Sequence, residues 1–564
     1  MMKLLMIGRR KPISAFEWNV LEALLLVLAA TFLYGKTLAF GFVWDDRQLI
    51  VENPYFQQDF HWYEVFLGNF WKFSGVSESI PFYRPLVNLA YLLESRTYRI
   101  YPGPFHFTNL LMFISSLVML WRLTFHFGFS RLSRVITCLF YVAHPALVPC
   151  VSFISCQGDL MAQFFGLAAI LMWVREKPLR WFAWFFALLA MLCKESAVVI
   201  PLVMVSYDLI LRKKDFKDWK TWFICTPWIP YFILRFIGLQ DVQQAQLSFN
   251  EHGAFRIFAF VSRIVLPFPT SQVPALPTIP GFGAWLLILL LCLAGYFVHY
   301  KTKGQDRLRF LIVWIFLSLM IVADWLDQNI RFSDQLLYAS MIPVSLLIGS
   351  IQIRTKTYLY GIFALILIFG SLSLSLIPNW KNDFKFWTNE MNYRSDDPTV
   401  LISYASAYNL QYKTKDACRL QYRIQELMKT NYNRTADLLS TYALGNCYLD
   451  VSASMAEIQY RKVLQLASRH WLAKNNLVVV LIKQQKFQEA LKLSQELVVQ
   501  KPDLFIVWKN LGVAYAKLGY YDEAIKTFQK ASEIKPDDDQ IGDMIAECRF
   551  KEKLIQNNAQ KNRK

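Results

Sequence analysis

Apolar residues in this chain fall in long unbroken runs, and neither Ala23–Tyr34 nor Trp285–Phe297 contains a charged residue. Crossing a bilayer takes about 20 mostly apolar residues. The runs predict eleven spans, near 18–36, 105–121, 135–150, 158–174, 180–193, 197–211, 221–237, 283–299, 310–323, 336–351 and 358–377. Basic loops recur on alternate sides: Arg9-Arg10-Lys11, Arg131 with Arg134, Arg175 with Lys177, Arg212-Lys213-Lys214, Lys301 with Lys303, and Arg354 with Lys356. Such loops mark the cytoplasmic side. The pattern therefore predicts a cytoplasmic N-terminus, a first span retained rather than cleaved, and a C-terminal domain outside. Outside means a bacterial periplasm, which the compact C-terminal array favours, or the endoplasmic-reticulum lumen. Two outer segments, 37–104 and 238–282, are long, and long loops are usually functional.

After about residue 378 the pattern changes to a 34-residue period. Trp508, Leu511, Gly512, Tyr515, Gly519, Ala524, Phe528, Ala531 and Pro536 fit a tetratricopeptide repeat, a helix–turn–helix whose small residues let the two helices approach. Leu477, Ala490 and Pro502 stand one period earlier; Ala456 and Tyr460 keep the period and Gly445 is displaced by one. The organisation predicted is a membrane domain over 1–378, repeats over 379–550 with 471–504 and 505–538 the best, and a frayed basic tail over 551–564. The fold class is all-α: a polytopic membrane helix bundle followed by a repeat α-solenoid.

Composition agrees. Hydrophobic residues make up 55% of the 564 and charged residues 18%, with mean hydropathy +0.27. That excludes an ordinary soluble enzyme, which carries about 25% charged residues. The net charge of +18 suits nucleic acid only until position is considered, because the basic residues cluster between spans; no nucleic-acid partner is expected. Nine cysteines without a CxxC pair argue against a zinc module.

Candidate chemistry gathers on the outer side. Asp45-Asp46 follow the first span, and adjacent carboxylates repel, so one of them gains a raised pKa suited to a base. Arg84, His106, Asn109, His144, Asp159, Lys194-Glu195, Asp324, Asp327, Arg331 and Asp334 map to the same side. Ionisable groups at membrane depth are costly and usually functional.

These residues sit in recognisable company: Phe42-Val43-Trp44-Asp45-Asp46 with Asn53-Pro54, Tyr83-Arg84-Pro85-Leu86, and Gly103-Pro104-Phe105-His106 with Asn109. They continue as His144-Pro145 with Gly158-Asp159, Cys193-Lys194-Glu195 with Tyr207-Asp208, Leu337-Tyr338 with Ser340, and Trp380 with Trp387. In order and spacing the chain resembles the transmembrane tetratricopeptide-repeat O-mannosyltransferases of the type-C (GT-C) glycosyltransferase superfamily. It departs at Asp334-Gln335, where the family usually has Glu-Arg, and in a shorter array. The resemblance implies a glycosyltransferase that moves mannose or another hexose from a polyprenyl phosphate, with inversion, to Ser or Thr of a protein held by the repeats. It implies Asp45 as base, with Asp46 as alternate or positioning partner; Arg84, Lys194 and Arg331 on the donor phosphate; and His106, His144, Asp159 and Glu195 orienting substrate. No cofactor is certain, and a divalent cation at Asp45/Asp46 stays open. The competing expectation is a membrane-anchored repeat scaffold without catalysis.

Overall fold

The computed structural model describes residues 15–53, 61–71, 82–175, 180–240, 253–267, 305–322, 337–351, 355–394, 397–412, 434–536 and 538–561. Among these every regular element is helical. Chain contacts separate two units, one ending at Phe386 and the other beginning at Trp387.

The first unit is the apolar one. Its leading helices are α1 (Ala15–Tyr34), α2 (Pro85–Tyr98), α3 (Pro102–His126), α4 (Arg131–Ala143), α5 (Val148–Ser152), α6 (Gln157–Val174), α7 (Arg180–Cys193) and α8 (Ile200–Ile210). Among the described residues four stretches are long and apolar enough to cross a membrane: Phe16–Ala39, Pro102–His126, Ile154–Val174 and Lys356–Trp380. A fifth crossing, Arg131–Ala143 with Pro145–Ser152, bends by 56°. This is a membrane protein, but the eleven predicted spans are not confirmed. The run at 283–299 lies outside the described residues, and α7, Phe223–Gly238 and Tyr338–Gly349 are apolar yet short. Fourteen residues of helix rise only about 21 Å against a hydrocarbon core of about 30 Å. An apolar run reports burial in apolar surroundings; Pro145, Pro149 and Pro201 then cut such runs into shorter helices.

The break after α4 is held by side chains from elsewhere in the unit. Tyr34 donates to the Val142 carbonyl (3.3 Å), Ser373 to Ala143 (2.8 Å), Asn109 to Phe153 (3.0 Å) and Tyr91 to Ile154 (3.3 Å). The Val142 and Ala143 carbonyls stand where the helical hydrogen-bond ladder is interrupted, and an unpaired buried carbonyl is expensive; those of Phe153 and Ile154 also accept the Cys156 and Gln157 N–H groups. Four helices thereby converge on residues 142–156.

At the basic ends of α1 and α4, the carboxylate of Glu22 in the first span is only 4% exposed. It takes Arg131 (3.0 Å), Arg134 (2.9 Å) and the Trp121 indole (3.1 Å). A charge inside a span is tolerable because it is paired and hydrogen-bonded.

The second unit stacks antiparallel helix pairs, among them Arg434–Tyr448 with Ala453–Leu466, Trp471–Lys483 with Phe487–Gln500, and Phe505–Lys517 with Tyr521–Ile534. Ala456, Tyr460, Leu477, Ala490 and Ala514 share one core, as a solenoid that buries its apolar face by stacking requires. A Cβ on Gly512 would lie 2.5 Å from the Phe528 ring, and one on Gly445 equally close to Tyr460. The one-residue displacement of Gly445 thus keeps its role beneath an aromatic ring. Side-chain amides tie adjacent repeats, Asn476 to Asn446 (3.0 Å) and Asn510 to Asn475 (2.8 Å). The tail predicted to fray is instead helix, Asp539–Lys561. It is built of good helix formers and carries a Glu547–Lys551 pair one turn apart.

Substituting Gly512→Ala is expected to destabilise the repeat unit by about 1–3 kcal/mol, since the Phe528 ring has to leave its packed position. Limited proteolysis of the full chain on heating reads this out: the repeat unit of the variant is cut at lower temperature, with the membrane unit unaffected.

Candidate functional site

The loop after α1 turns sharply at Trp44, which adopts a left-handed backbone conformation (φ 52°). Bulky residues seldom occupy that region, and strain of this kind is held in place only by surrounding structure. The Trp44 ring stacks between Phe153 and Phe386, with centroids 5.9 and 5.5 Å away. The Trp44 backbone N–H donates to Asp383 Oδ1 at 2.6 Å.

The turn separates the fates of the two aspartates. Asp45 is half-buried. Asp46 is fully buried: Oδ2 accepts from the Val43 N–H (2.9 Å), and Oδ1 accepts from the Ser155 N–H (2.7 Å) and hydroxyl (2.5 Å). Burial pushes the Asp46 carboxyl up to about 8; the Ser155 and Val43 hydrogen bonds pull against this and the Asp45 charge adds to it. Both Asp46 oxygens are thus engaged by protein donors and shielded from solvent. Among the described residues no three His, Cys, Asp or Glu side chains gather to hold a metal.

Ser155 lies two residues before α6, and Asp159 lies in the first turn of that helix. Lys194 reaches both Asp159 oxygens, at 2.5 Å each. The next residue, Glu195, accepts from the Tyr83 N–H (2.7 Å) and from Arg84 Nε (2.9 Å), and Arg235 approaches to 3.7 Å. Burial pushes the Glu195 carboxyl up, but the Arg84 and Arg235 guanidiniums outweigh it and hold it below the usual range. Arg84 also lies over the Phe82 and Phe70 rings, a setting that suits a weakly hydrated guanidinium. Glycine at 158 permits the close packing here, since a Cβ would come within 3.1 Å of the Cys193 carbonyl. From Asp159 a narrow apolar cleft runs between helices, lined by Leu167, Ile170, Ile200, Trp314, Tyr338 and Ile342 among others.

Of the residues singled out in the sequence, Asp46, Asp159, Lys194, Glu195 and Arg84 form this connected set, with Asp45 beside Asp46. His106 is buried edge-on to Phe40. His144 caps the break after α4: its Nδ1 accepts from the Ala146 N–H (3.2 Å), and its Nε2 lies 3.0 Å from the Ile264 carbonyl and so carries the proton. Both its ring nitrogens are taken by backbone. Asp324, Asp327, Arg331 and Asp334 lie outside the described residues. Ser155, Arg235 and Asp383 were not foreseen. No motif surrounds Ser155, Arg235 sits within a predicted span, and Asp383 lies unmarked between Trp380 and Trp387.

The fold and site define a helical membrane protein with an ionic cluster at the mouth of an apolar cleft and a tetratricopeptide-repeat unit. Residues 505–538 match the family model for the tetratricopeptide repeat. The chain is similar to tetratricopeptide-repeat protein O-mannosyl-transferases. It is 27% identical to human protein O-mannosyl-transferase TMTC3 over 204 residues, 35% of this chain and 22% of that protein. It is 25% identical to Drosophila melanogaster Tmtc3 over 272 residues, 42% and 28% of the two chains, and 23% identical to Caenorhabditis elegans F38B6.6 over 212 residues, 36% and 31%. The match thus spans less than a third of each of these relatives. Among solved structures, the MamA protein shares 19% identity over 27% of this chain and 81% of its own, with a TM-score of 0.24.

A carboxyl whose pKa is raised by folding stabilises the folded state while it is protonated. The Asp46 contribution is full below the ordinary value of 3.8 and is lost as pH rises through about 8. Glu94, raised to about 7 by burial, has the same sign. The melting temperature of the detergent-purified chain is therefore expected to fall between pH 5 and 8, and Asp46→Asn to flatten that fall. An unchanged slope in the variant would show that Asp46 does not titrate in this range.

Proposed function

We propose that this chain is an integral-membrane glycosyltransferase acting at the outer leaflet, in a periplasm or lumen. It moves a hexose, mannose by the names of its relatives, from a polyprenyl phosphate to Ser or Thr of a protein engaged by the repeats. The observation that carries this reading is the continuity from Asp45-Asp46, through Ser155 and the Asp159–Lys194 pair, to the apolar cleft. An amphiphilic donor needs such a site, with a groove for the chain and charges for the headgroup.

In this scheme the acceptor hydroxyl oxygen attacks the anomeric carbon from the face opposite the phosphate. The new C–O bond forms as the sugar–phosphate C–O bond breaks, and its electron pair leaves with the polyprenyl phosphate. The hydroxyl proton passes to Asp45, and the anomeric centre inverts. Asp46, fully buried, positions Asp45 and touches no substrate. Arg84 and Arg235 share one carboxylate, Glu195, and their surplus positive charge suits a phosphate gaining charge in the transition state. Lys194, already bound to Asp159, lines the same path, and Arg331 completes the proposed phosphate contacts. Asp159 and Glu195 orient these cations, and His106 and His144 shape the surrounding backbone. The repeats supply binding energy remote from the reacting atoms, which positions a weak nucleophile.

The test compares outer-compartment proteins from cells carrying the wild-type chain, Asp45→Ala, Asp46→Ala or no chain, with peptide spectra searched for hexose on Ser and Thr. Hexose occupancy is expected to fall about 100-fold or more with Asp45→Ala at equal levels of inserted protein. Unchanged occupancy in every strain, with extracted lipids and glycans also unchanged, overturns the reading and leaves a membrane-anchored scaffold.

A further inference from the structure

We propose that Asp383, at the far end of the membrane unit, is a positioning residue whose carboxylate fastens the strained Trp44 turn and thereby sets the direction of Asp45. The inference rests on the transferase reading above, in which Asp45 is the base.

Trp44 departs from the backbone conformations readily open to a bulky residue, so something has to hold it. Asp383 Oδ1 accepts the Trp44 N–H at 2.6 Å, while Oδ2 lies 3.8 Å from Arg47 Nε. One carboxylate thus grips the residue before the aspartate pair and the residue after it. Nearby, the Gly41 N–H donates to the Lys381 carbonyl at 2.9 Å, and Phe386 stacks on the Trp44 ring. On its other side the turn is fixed by Asp46, through Ser155 and Val43. Both neighbours of Asp45 are thus anchored to distant elements, Trp44 to Asp383 and Asp46 to Ser155. The Asp383 side chain is 15% exposed, shielded enough for its hydrogen bond to resist competition from water. A base displaced by about 1 Å from its productive position loses on the order of 100-fold in rate, so the hold on Trp44 bears directly on turnover.

Two substitutions at this position separate the acceptor oxygen from simple bulk. Asp383→Asn keeps an oxygen for the Trp44 N–H, whereas Asp383→Leu keeps the size and removes the acceptor. Hexose occupancy of the same outer-compartment peptides is read in cells, alongside Asp45→Ala. Retention of polyprenyl-phosphate mannose in detergent micelles is read on the purified full chains. Asp383→Asn is expected to keep occupancy within fivefold of wild type. Asp383→Leu is expected to lower it at least tenfold while donor retention stays within twofold. A smaller loss in the Leu variant, a larger loss in the Asn variant, or donor retention falling in step with occupancy overturns the assignment. If the Leu variant fails to insert, the fivefold limit on the Asn variant decides alone. Should Asp45→Ala also leave occupancy unchanged, the transferase reading itself fails; an effect of Asp45→Ala without one of Asp383→Leu sinks only the role of Asp383.

Discussion

The first unit depends on satisfying backbone carbonyls where the chain breaks helix inside an apolar body. Between Ala143 and Gln157 the chain passes through short turns, with prolines at 145 and 149. Carbonyls near these breaks have no water to turn to, and each missing partner would cost on the order of 1–3 kcal/mol. Tyr34 and Ser373 meet that need at Val142 and Ala143 from α1 and the helix Lys356–Leu376, while Asn109 and Tyr91 bring a second donor from α3 and α2 to Phe153 and Ile154. The break is therefore a junction: to keep it unstrained, four distant helices have to arrive in register. Ser155, which receives Asp46, and Phe153, on which Trp44 stacks, belong to the same junction. The candidate site is placed by the same requirement that holds the unit together.

Two carboxylates in this unit each face two arginines, and their surroundings decide what each can do. Glu22, 4% exposed, has its remaining capacity taken by the Trp121 indole, so the cluster is closed and ties α1, α3 and α4 together. Glu195, 24% exposed, is paired with Arg84 and, more loosely, with Arg235. Equal charge counts thus surround a buried carboxylate that joins three helices in one place and a partly exposed carboxylate in the other.

The sequence made some of this legible and hid the rest for physical reasons. A 34-residue period survives in side-chain volume alone, so Ala490 and Phe528 announced the repeats. Asp45-Asp46 and Lys194-Glu195 were visible because charge beside apolar runs is conspicuous. Their partners were not: Ser155 and Asp383 are ordinary polar residues whose importance lies wholly in long-range contacts. The eleven predicted spans are not confirmed, because hydropathy reports an apolar environment and is silent on helix length; α7 and α8 are as apolar as full spans and much shorter. Which aspartate is buried also escaped the sequence, since it follows from the left-handed turn at Trp44.

That turn carries a consequence for how the site comes to exist. Trp44 and Asp383 are 339 residues apart, and the Gly41–Lys381 hydrogen bond closes a loop of similar size. Contacts at such separation form only after the entropy of closing the intervening chain has been lost. Local hydrogen bonds between Val43 and Asp46 are only part of what holds the strained turn; the rest waits for Asp383 and Phe386. The loop bearing Asp45 therefore reaches its final shape only when the whole membrane unit is in place. A partly inserted chain would carry the aspartates without their geometry, which couples completion of the fold to completion of the site.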